Sequence, residues 1–254
     1  MKKIVIGNLK MNLQSPAERD KYLQWMEKEL DGKNLSYSEI VLCPPFVHLE
    51  GFAGMKDKKF KLGAQDMFFE GEGSYTGEIS PAMLKNFGCE YVILGHSERR
   101  KYSGETDAAI NAKLLAALKN GLKPILCVGE DKDQIGENVI MRQLKECLAG
   151  INRVKIESII VCYEPVWAIS SNNPDHLPTT NEIMSARLLI KKFLAGEYGL
   201  KTAERAMIIY GGSVAPSNAK ETCVDSGMDG ALVGKESLVP HSFVKIAEII
   251  NGNF

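Results

Sequence analysis

The chain of 254 residues is long for one domain, but α/β barrels of about 250 residues are a known exception to the usual domain size. A hydrophobic content of 44% with 25% charged residues is that of an ordinary globular protein, which excludes a disordered chain. The formal net charge of -1 argues against a nucleic-acid partner, because phosphate backbones require a basic surface. No apolar run approaches the roughly 20 residues of a membrane span, and residues 1–12 hold no secretory core. We therefore expect no membrane partner either.

The cysteines indicate the compartment. None of the six lies in a C-x-x-C motif, and Cys43, Cys127 and Cys162 lie within apolar runs, where a free thiol packs as a small hydrophobic group. In a chain of this size without a signal peptide we expect reduced thiols in place of disulfides. A cytoplasmic location follows as the expectation.

Eight short runs, mostly apolar on both alternating positions, predict strands that are buried on both faces. The predicted strands are Ile4–Lys10, Glu39–Pro44, Phe60–Gln65, Tyr91–Gly95, Pro124–Gly129, Ser158–Glu164, Met207–Gly211 and Gly230–Gly234. Helical patterns separate them, and no linker or composition break interrupts the chain. A doubly wound sheet with a dinucleotide site is disfavoured because no strand is followed by G-x-G-x-x-G. The sequence therefore predicts an α/β fold, a single (β/α)8 barrel domain over residues 1–254.

The helices carry clear start and stop signals. Ser15 with Glu18, and Thr179 with Glu182, have the spacing of capping boxes. Ser80 precedes a proline at the first helical position, and Asn120-Gly121 is a typical helix end.

Polar residues end the first predicted strand. Because side chains alternate along a strand, Asn8, Lys10 and Asn12 share the face of Ile4 and Ile6. If that face is the barrel interior, an amide and an ammonium group reach the mouth of the barrel, where barrel enzymes bind substrate. A solvated lysine at a strand end remains the alternative.

His96 follows the fourth strand at the start of a polar turn. A lone histidine is more often structural than catalytic, but its place at a strand end favours a functional role. If a helix begins at Ser97, its positive end lowers the pKa of His96 and keeps the ring neutral at pH 7. A neutral ring can donate an N–H to a carbonyl oxygen.

Glu164 follows the sixth strand, directly after a largely apolar run. A carboxylate at a strand end often only faces solvent, but the following Val166-Trp167 indicates partial burial. Burial raises the pKa of a carboxyl group and prepares it to act as a base.

Strands seven and eight both end in glycine. Gly211-Gly212-Ser213 and Gly234-Lys235 allow backbone N–H groups to approach an anion, and the loops after these two strands form the usual phosphate site of the barrel. A phosphate site, a base, a neutral donor and a cation together suit proton abstraction beside the carbonyl of a small phosphorylated sugar. This chemistry requires no cofactor, and the histidines lack metal-ligand spacing, so we expect neither cofactor nor metal.

Five sequence blocks in the expected order resemble the triosephosphate isomerase family over the whole chain. They are Asn8-x-Lys10-x-Asn12, Gly95-His96-Ser97-Glu98-Arg99, Tyr163-Glu164-Pro165-Val166-Trp167-Ala168-Ile169, Tyr210-Gly-Gly-Ser-Val214 and Asp229-Gly-x-Leu-Val-Gly234. The family is a well-known case of a glutamate base beside a neutral histidine, with which the expectations above agree.

The resemblance implies a TIM barrel that interconverts dihydroxyacetone phosphate and D-glyceraldehyde 3-phosphate in glycolysis and gluconeogenesis. It implies Glu164 as the base, His96 as the electrophile and Lys10 as a catalytic cation. The implied substrate contacts are Asn8, Lys10 and the backbone N–H groups of Ser170, Ser213, Gly234 and Lys235; the implied supporting residues are Asn12, Glu98, Tyr210, Gly211 and Gly212. The segment Asp66–Ile79 resembles an arm that docks into a second subunit, which implies a homodimer.

The chain departs from the family pattern at three places. Ser170-Ser171-Asn172-Asn173 replaces a glycine-containing lid sequence, so closure of a lid over Ser170–Pro178 is an open question. Lys235 replaces a glycine, and Asp66 replaces an asparagine at the expected subunit contact.

Two alternatives remain at this point. The altered lid favours a phosphate-binding barrel with impaired catalysis. An aldolase-type barrel would require a Schiff-base lysine in the barrel, whereas the sixth strand delivers Glu164.

Overall fold

Eight parallel strands close into a barrel in chain order, with β8 paired to β1. The structure is a computed structural model that describes residues 2–134, 138–169 and 176–252. The strands are β1 Lys3–Asn8, β2 Ser38–Cys43, β3 Lys61–Ala64, β4 Cys89–Leu94, β5 Lys123–Val128, β6 Ile160–Tyr163, β7 Met207–Tyr210 and β8 Gly230–Val233. All eight predicted strands are confirmed. Each ends one or two residues before its predicted carboxyl end.

The strands are buried on both faces, as their composition predicts. Ile4, Ile6 and the matching residues of the other strands fill the barrel interior. Val5 and its counterparts pack outward against the helices in a second, larger cluster. The interior orientation of the face that leads to Asn8 is thereby confirmed.

Helices surround the barrel. The α-helices are α1 Pro16–Leu30, α2 Leu49–Ala53, α3 Pro81–Asn86, α4 Ser97–Ser103, α5 Asp107–Lys119, α6 Val139–Cys147, α7 Arg153–Ile156, α8 Thr180–Tyr198, α9 Leu200–Arg205 and α10 Pro240–Asn251. The Thr179–Glu182 capping box is present in full. At α1 the Ser15 side chain accepts from the Glu18 N–H, but the Glu18 carboxylate accepts from the Gln14 N–H, so only half of the predicted box forms.

A largely buried group of charges, in which only Arg99 is partly exposed, joins the loop after β3 to helices α4 and α5. We call Asp66, Arg99, Glu105 and Lys113 the Lys113 cluster. Lys113 Nζ lies 2.8 Å from both carboxylate oxygens of Asp66 and also contacts Glu105, while Arg99 Nε lies 2.9 Å from Asp66. Asp66, expected to concern a subunit contact, thus pairs within its own chain.

All six cysteines are buried free thiols, as predicted. Across the described ranges of the chain, none of the helices combines the length and apolar content needed to cross a bilayer.

Candidate active site

A cavity of about 280 Å³ opens at the carboxyl ends of the strands. The predicted site residues that line it are Asn8, Lys10, His96, Glu164, Gly211, Gly212, Ser213, Gly234 and Lys235. They come from β1, β4, β6, β7 and β8 or the loops that follow, so closure of the barrel brings together residues far apart in sequence. Ser170 and most of the predicted lid lie outside the described residues.

The sequence predicted that Lys10 continues β1, but the strand ends at Asn8. The φ of 50° at Lys10 is left-handed, which ends the strand and turns the lysine side chain across the cavity past Gly234. The Lys10 N–H donates to Asn8 Oδ1 at 3.1 Å, and Lys10 Nζ lies 2.6 Å from Glu98 Oε1. Asn12 does not line the cavity; its side-chain amide donates to the Leu9 carbonyl at 2.7 Å, so it supports the loop.

His96 and Glu164 form a buried pair. His96 Nε2 lies 2.9 Å from Glu164 Oε1, and the Ser97 N–H donates to Glu164 Oε2 at 2.9 Å. Helix α4 begins at Ser97, as predicted, and the Glu98 N–H donates to His96 Nδ1. Because Nδ1 accepts a hydrogen bond, this geometry fits a neutral ring whose proton is on Nε2 and points at the carboxylate.

The two pKa expectations were wrong in direction for this arrangement. Burial raises the pKa of Glu164, but the neighbouring His96 ring and the Ser97 N–H lower it more, so the net pKa is below its usual value. Burial lowers the pKa of His96, but the Glu164 carboxylate raises it more, so the net pKa is above its usual value. Both pKa shifts therefore favour an ionised Glu164 carboxylate beside a His96 ring that can donate a hydrogen bond to it.

We expect the pKa of His96 to fall in the Glu164→Gln variant. Removal of the carboxylate leaves burial, which lowers this pKa, without its main opposing interaction. A histidine NMR titration, assigned with a His96→Gln variant, measures the change. An unchanged or higher pKa would contradict the contact between the two side chains in solution.

The turn after β7 requires glycine. A Cβ at Gly211 would lie 2.5 Å from Cys162 Sγ, and one at Gly212 would lie 2.2 Å from the buried Tyr210 hydroxyl. Ser213 donates to the Ala168 carbonyl through both its N–H (3.3 Å) and its hydroxyl (2.8 Å). An anion that takes the Ser213 N–H must therefore compete with the Ala168 carbonyl, two residues before the predicted lid.

The turn after β8 leads into a short 3₁₀ helix, Lys235–Leu238. Its Ser237 hydroxyl lies 3.1 Å from the Asn8 carbonyl and 2.6 Å from the Gly234 carbonyl, which ties this turn to β1. The Lys235 side chain is exposed at the cavity rim.

Sequence reasoning missed several residues of the site. Ile169 and Leu177 supply apolar walls, and the Ser97 N–H holds Glu164. Gln65 donates to the Lys10 carbonyl from the end of β3. A strand-end position was the available signal for Gln65; the others depend on contacts between distant segments.

Comparison with known proteins agrees with the geometry. Residues 3–250 match the family model described as triosephosphate isomerase. The triosephosphate isomerase of Thermoanaerobacter pseudethanolicus is 43% identical over 249 residues, 96% of this chain and 97% of that protein. Those of Dictyoglomus turgidum (44% identical, covering 95% and 97%) and Herpetosiphon aurantiacus (46% identical, covering 85% and 87%) are similar as well. The chain belongs to the triosephosphate isomerase family.

Proposed function

We propose that this protein interconverts dihydroxyacetone phosphate and D-glyceraldehyde 3-phosphate by proton transfer, without a cofactor. The observation that carries the proposal is the convergence of an ionised Glu164, a histidine N–H and the Lys10 ammonium on one cavity. These are the base, the donor and the cation that an enediolate intermediate requires.

In the proposed reaction Glu164 removes a proton from the carbon beside the carbonyl. The C–H electron pair forms a C=C bond, and the carbonyl oxygen becomes an enediolate oxygen. The Nε2–H of His96 and the Lys10 ammonium stabilise that negative charge. The proton of the neighbouring hydroxyl passes to that oxygen through His96 Nε2, which moves the negative charge to the other enediolate oxygen. Glu164 then returns its proton to the carbon that carried the carbonyl: the C=C electron pair forms the new C–H bond, and the other oxygen becomes the new carbonyl oxygen.

For this step Glu164 must leave the Ser97 N–H and turn toward the substrate. Departure of the carboxylate removes the main interaction that raises the pKa of His96, and the burial that lowers this pKa then favours the neutral ring as donor. The ion pair between Glu98 and Lys10 keeps the ammonium group at the cavity while Glu164 moves.

We assign the substrate phosphate to the glycine turns after β7 and β8. The Ser213, Gly234 and Lys235 N–H groups are the proposed donors, with Ser170 as a fourth. The two turns lie on neighbouring strands and line the same cavity, which supports this assignment.

A coupled assay of glyceraldehyde 3-phosphate isomerisation tests the function. We expect turnover, and in D₂O we expect deuterium on the substrate carbon that accepts the returning proton. Binding of a phosphate-bearing enediolate analogue without turnover would overturn the proposal in favour of the impaired barrel. That alternative rests on residues 170–173, which lie outside the described residues.

We further propose a homodimer formed through the arm Asp66–Ile79. Residues 69–78 of the arm are exposed. Met11 (89% exposed), Val47 (82%) and Tyr102 (75%) follow β1, β2 and β4, and the arm follows β3, so all of them lie at the same end of the barrel. Such a concentration of exposed apolar side chains is typical of an interface. Cytoplasmic location, a single domain over residues 1–254 and the absence of membrane or nucleic-acid partners complete the proposal.

The Thr76→Asp variant should dissociate the dimer and lower kcat/KM, because it places an unpaired negative charge in the proposed interface. Thr76 is exposed in the single chain, so the substitution should not disturb the core of the subunit. Light scattering after size exclusion, at a fixed protein concentration, measures the mass. Val154→Asp on α7, at a side chain that is 83% exposed, is the control and should leave the mass unchanged. A wild-type protein with the mass of one chain would contradict the dimer.

A further inference from the structure

The backbone of Lys10 is strained. Its φ of 50° lies in the left-handed region, which side-chain-bearing residues avoid. Such a conformation persists only where the surroundings hold it in place. What holds it also sets the direction of the ammonium group.

Three contacts hold Lys10. Asn8 Oδ1 accepts from its N–H, and Glu98 lies against its Nζ. The third contact is on the carbonyl, to which Gln65 Nε2 donates at 2.9 Å. Asn8 lines the cavity and Glu98 bears on the ammonium charge itself, whereas Gln65 acts on the backbone alone.

Both the side-chain amide and the backbone of Gln65 are held in place. The same Nε2 donates to the Cys43 carbonyl at the end of β2, also at 2.9 Å. Both partners are carbonyl oxygens, so only the NH₂ group of the amide can face them. In the chain, Gln65 lies between the last residue of β3 and Asp66 of the Lys113 cluster. The amide therefore reaches the Lys10 carbonyl from a rigid part of the barrel.

We propose that Gln65 is a positioning residue: it holds the left-handed peptide of Lys10 and thereby directs the ammonium group toward the substrate. The inference rests on the proposed function, in which Lys10 contacts substrate. It adds a residue that directly follows β3, which, like β2 and β5, contributes no side chain to the cavity lining among the described residues.

The test compares two amides with matched contacts. Asn111 Nδ2 also donates to two backbone carbonyls, those of Cys147 (2.7 Å) and Ala149 (2.9 Å), and it is half-buried like Gln65. Gln65→Met and Asn111→Leu each remove two such bonds and keep a side chain of similar size. If Gln65→Met does not fold, Gln65→Glu and Asn111→Asp replace the pair.

We expect Gln65→Met to lower kcat/KM by about 10- to 100-fold, since a small misplacement of a substrate-contacting group has effects of this size. It should also weaken the binding of inorganic phosphate, measured by calorimetry. Asn111→Leu should change neither kcat/KM nor phosphate affinity by more than about twofold, even if it lowers Tm as much as Gln65→Met does. Equal effects of the two variants would overturn the inference.

A double-variant comparison separates positioning from general damage. In a Lys10→Met background, Gln65→Met should have little further effect on kcat/KM or on phosphate binding, because its effect acts through Lys10. A full additional effect in that background would overturn the inference. Absence of turnover in the wild-type protein would instead contradict the proposed function, and phosphate binding would still test the role of Gln65.

Discussion

Replacement of Glu164 by glutamine is expected to lower kcat by at least about 10²–10⁴-fold, the usual contribution of a positioned general base. The amide has the shape of the carboxylate but cannot accept the substrate proton. Its carbonyl oxygen can still accept from the Ser97 N–H, which holds Glu164 in the wild-type structure. We therefore expect the variant to fold and to retain affinity for inorganic phosphate.

Glu39→Gln is the matched control. Glu39 lies on β2 at the opposite end of the barrel, where its carboxylate accepts from the Tyr91 hydroxyl. The substitution makes the same chemical change far from the cavity, so kcat should stay within about twofold of wild type while stability falls. Steady-state rates in the coupled assay distinguish the two variants. A Glu164→Gln enzyme with near wild-type kcat would remove Glu164 as the base.

Most of the fold and the main site residues follow from local features of the sequence. Buried strands show as apolar runs, and the alternation along β1 correctly placed Asn8 after the interior residues Ile4 and Ile6. His96 and Glu164 were identifiable because a polar group directly after a buried strand is costly unless it has a partner. Both requirements are local, so a short segment of sequence carries them.

The electrostatics could not be predicted one residue at a time. His96 and Glu164 are 68 positions apart, and each expected pKa shift considered only the residue's own strand and loop. In the structure the two side chains are in contact, and that contact reverses both directions. The sequence carried no signal that joined them.

The same reason hides the supports of the site. Lys10 was predicted to continue a strand, because nothing in its neighbourhood indicates a left-handed residue. The hydrogen bond from Gln65 comes from a distant segment, directly after β3. Lys113 lies in helix α5, where a lysine is ordinarily exposed, yet it is buried because Asp66 reaches it from the loop after β3.

Lys113→Met should be the most destabilising of the proposed substitutions, with a loss of about 3–5 kcal/mol in the free energy of unfolding at pH 7. Methionine fills a similar volume but leaves the carboxylates of Asp66 and Glu105 buried without their main cation. One Glu105 oxygen already lacks a hydrogen-bond partner in the wild-type structure. Urea unfolding at one fixed protein concentration measures the loss.

Lys220→Met is the matched control. Lys220 also contacts both oxygens of one aspartate, Asp225, at 2.8 and 2.9 Å, but this pair is exposed to solvent. An exposed ion pair contributes less than about 1 kcal/mol, so the two lysines should differ severalfold in effect although their contacts are alike. A similar small loss in both variants would show that the Lys113 cluster is hydrated in solution.

The pH dependence of stability gives an independent test of the Lys113→Met prediction. In the wild-type protein burial raises the pKa of Asp66 despite Lys113, whereas Lys113 holds the pKa of Glu105 below its usual value against the effect of burial. Without Lys113 burial dominates at both carboxyls, and their folded-state pKa values rise above the unfolded values of 3.8 and 4.5. Between the unfolded-state and the raised folded-state pKa values, the folded variant binds more protons than its unfolded chain. Its stability therefore increases as the pH falls through this range. The difference from wild type should therefore be largest at neutral pH and should narrow toward about pH 5; a difference that grows on acidification would place the destabilisation outside the two carboxylates.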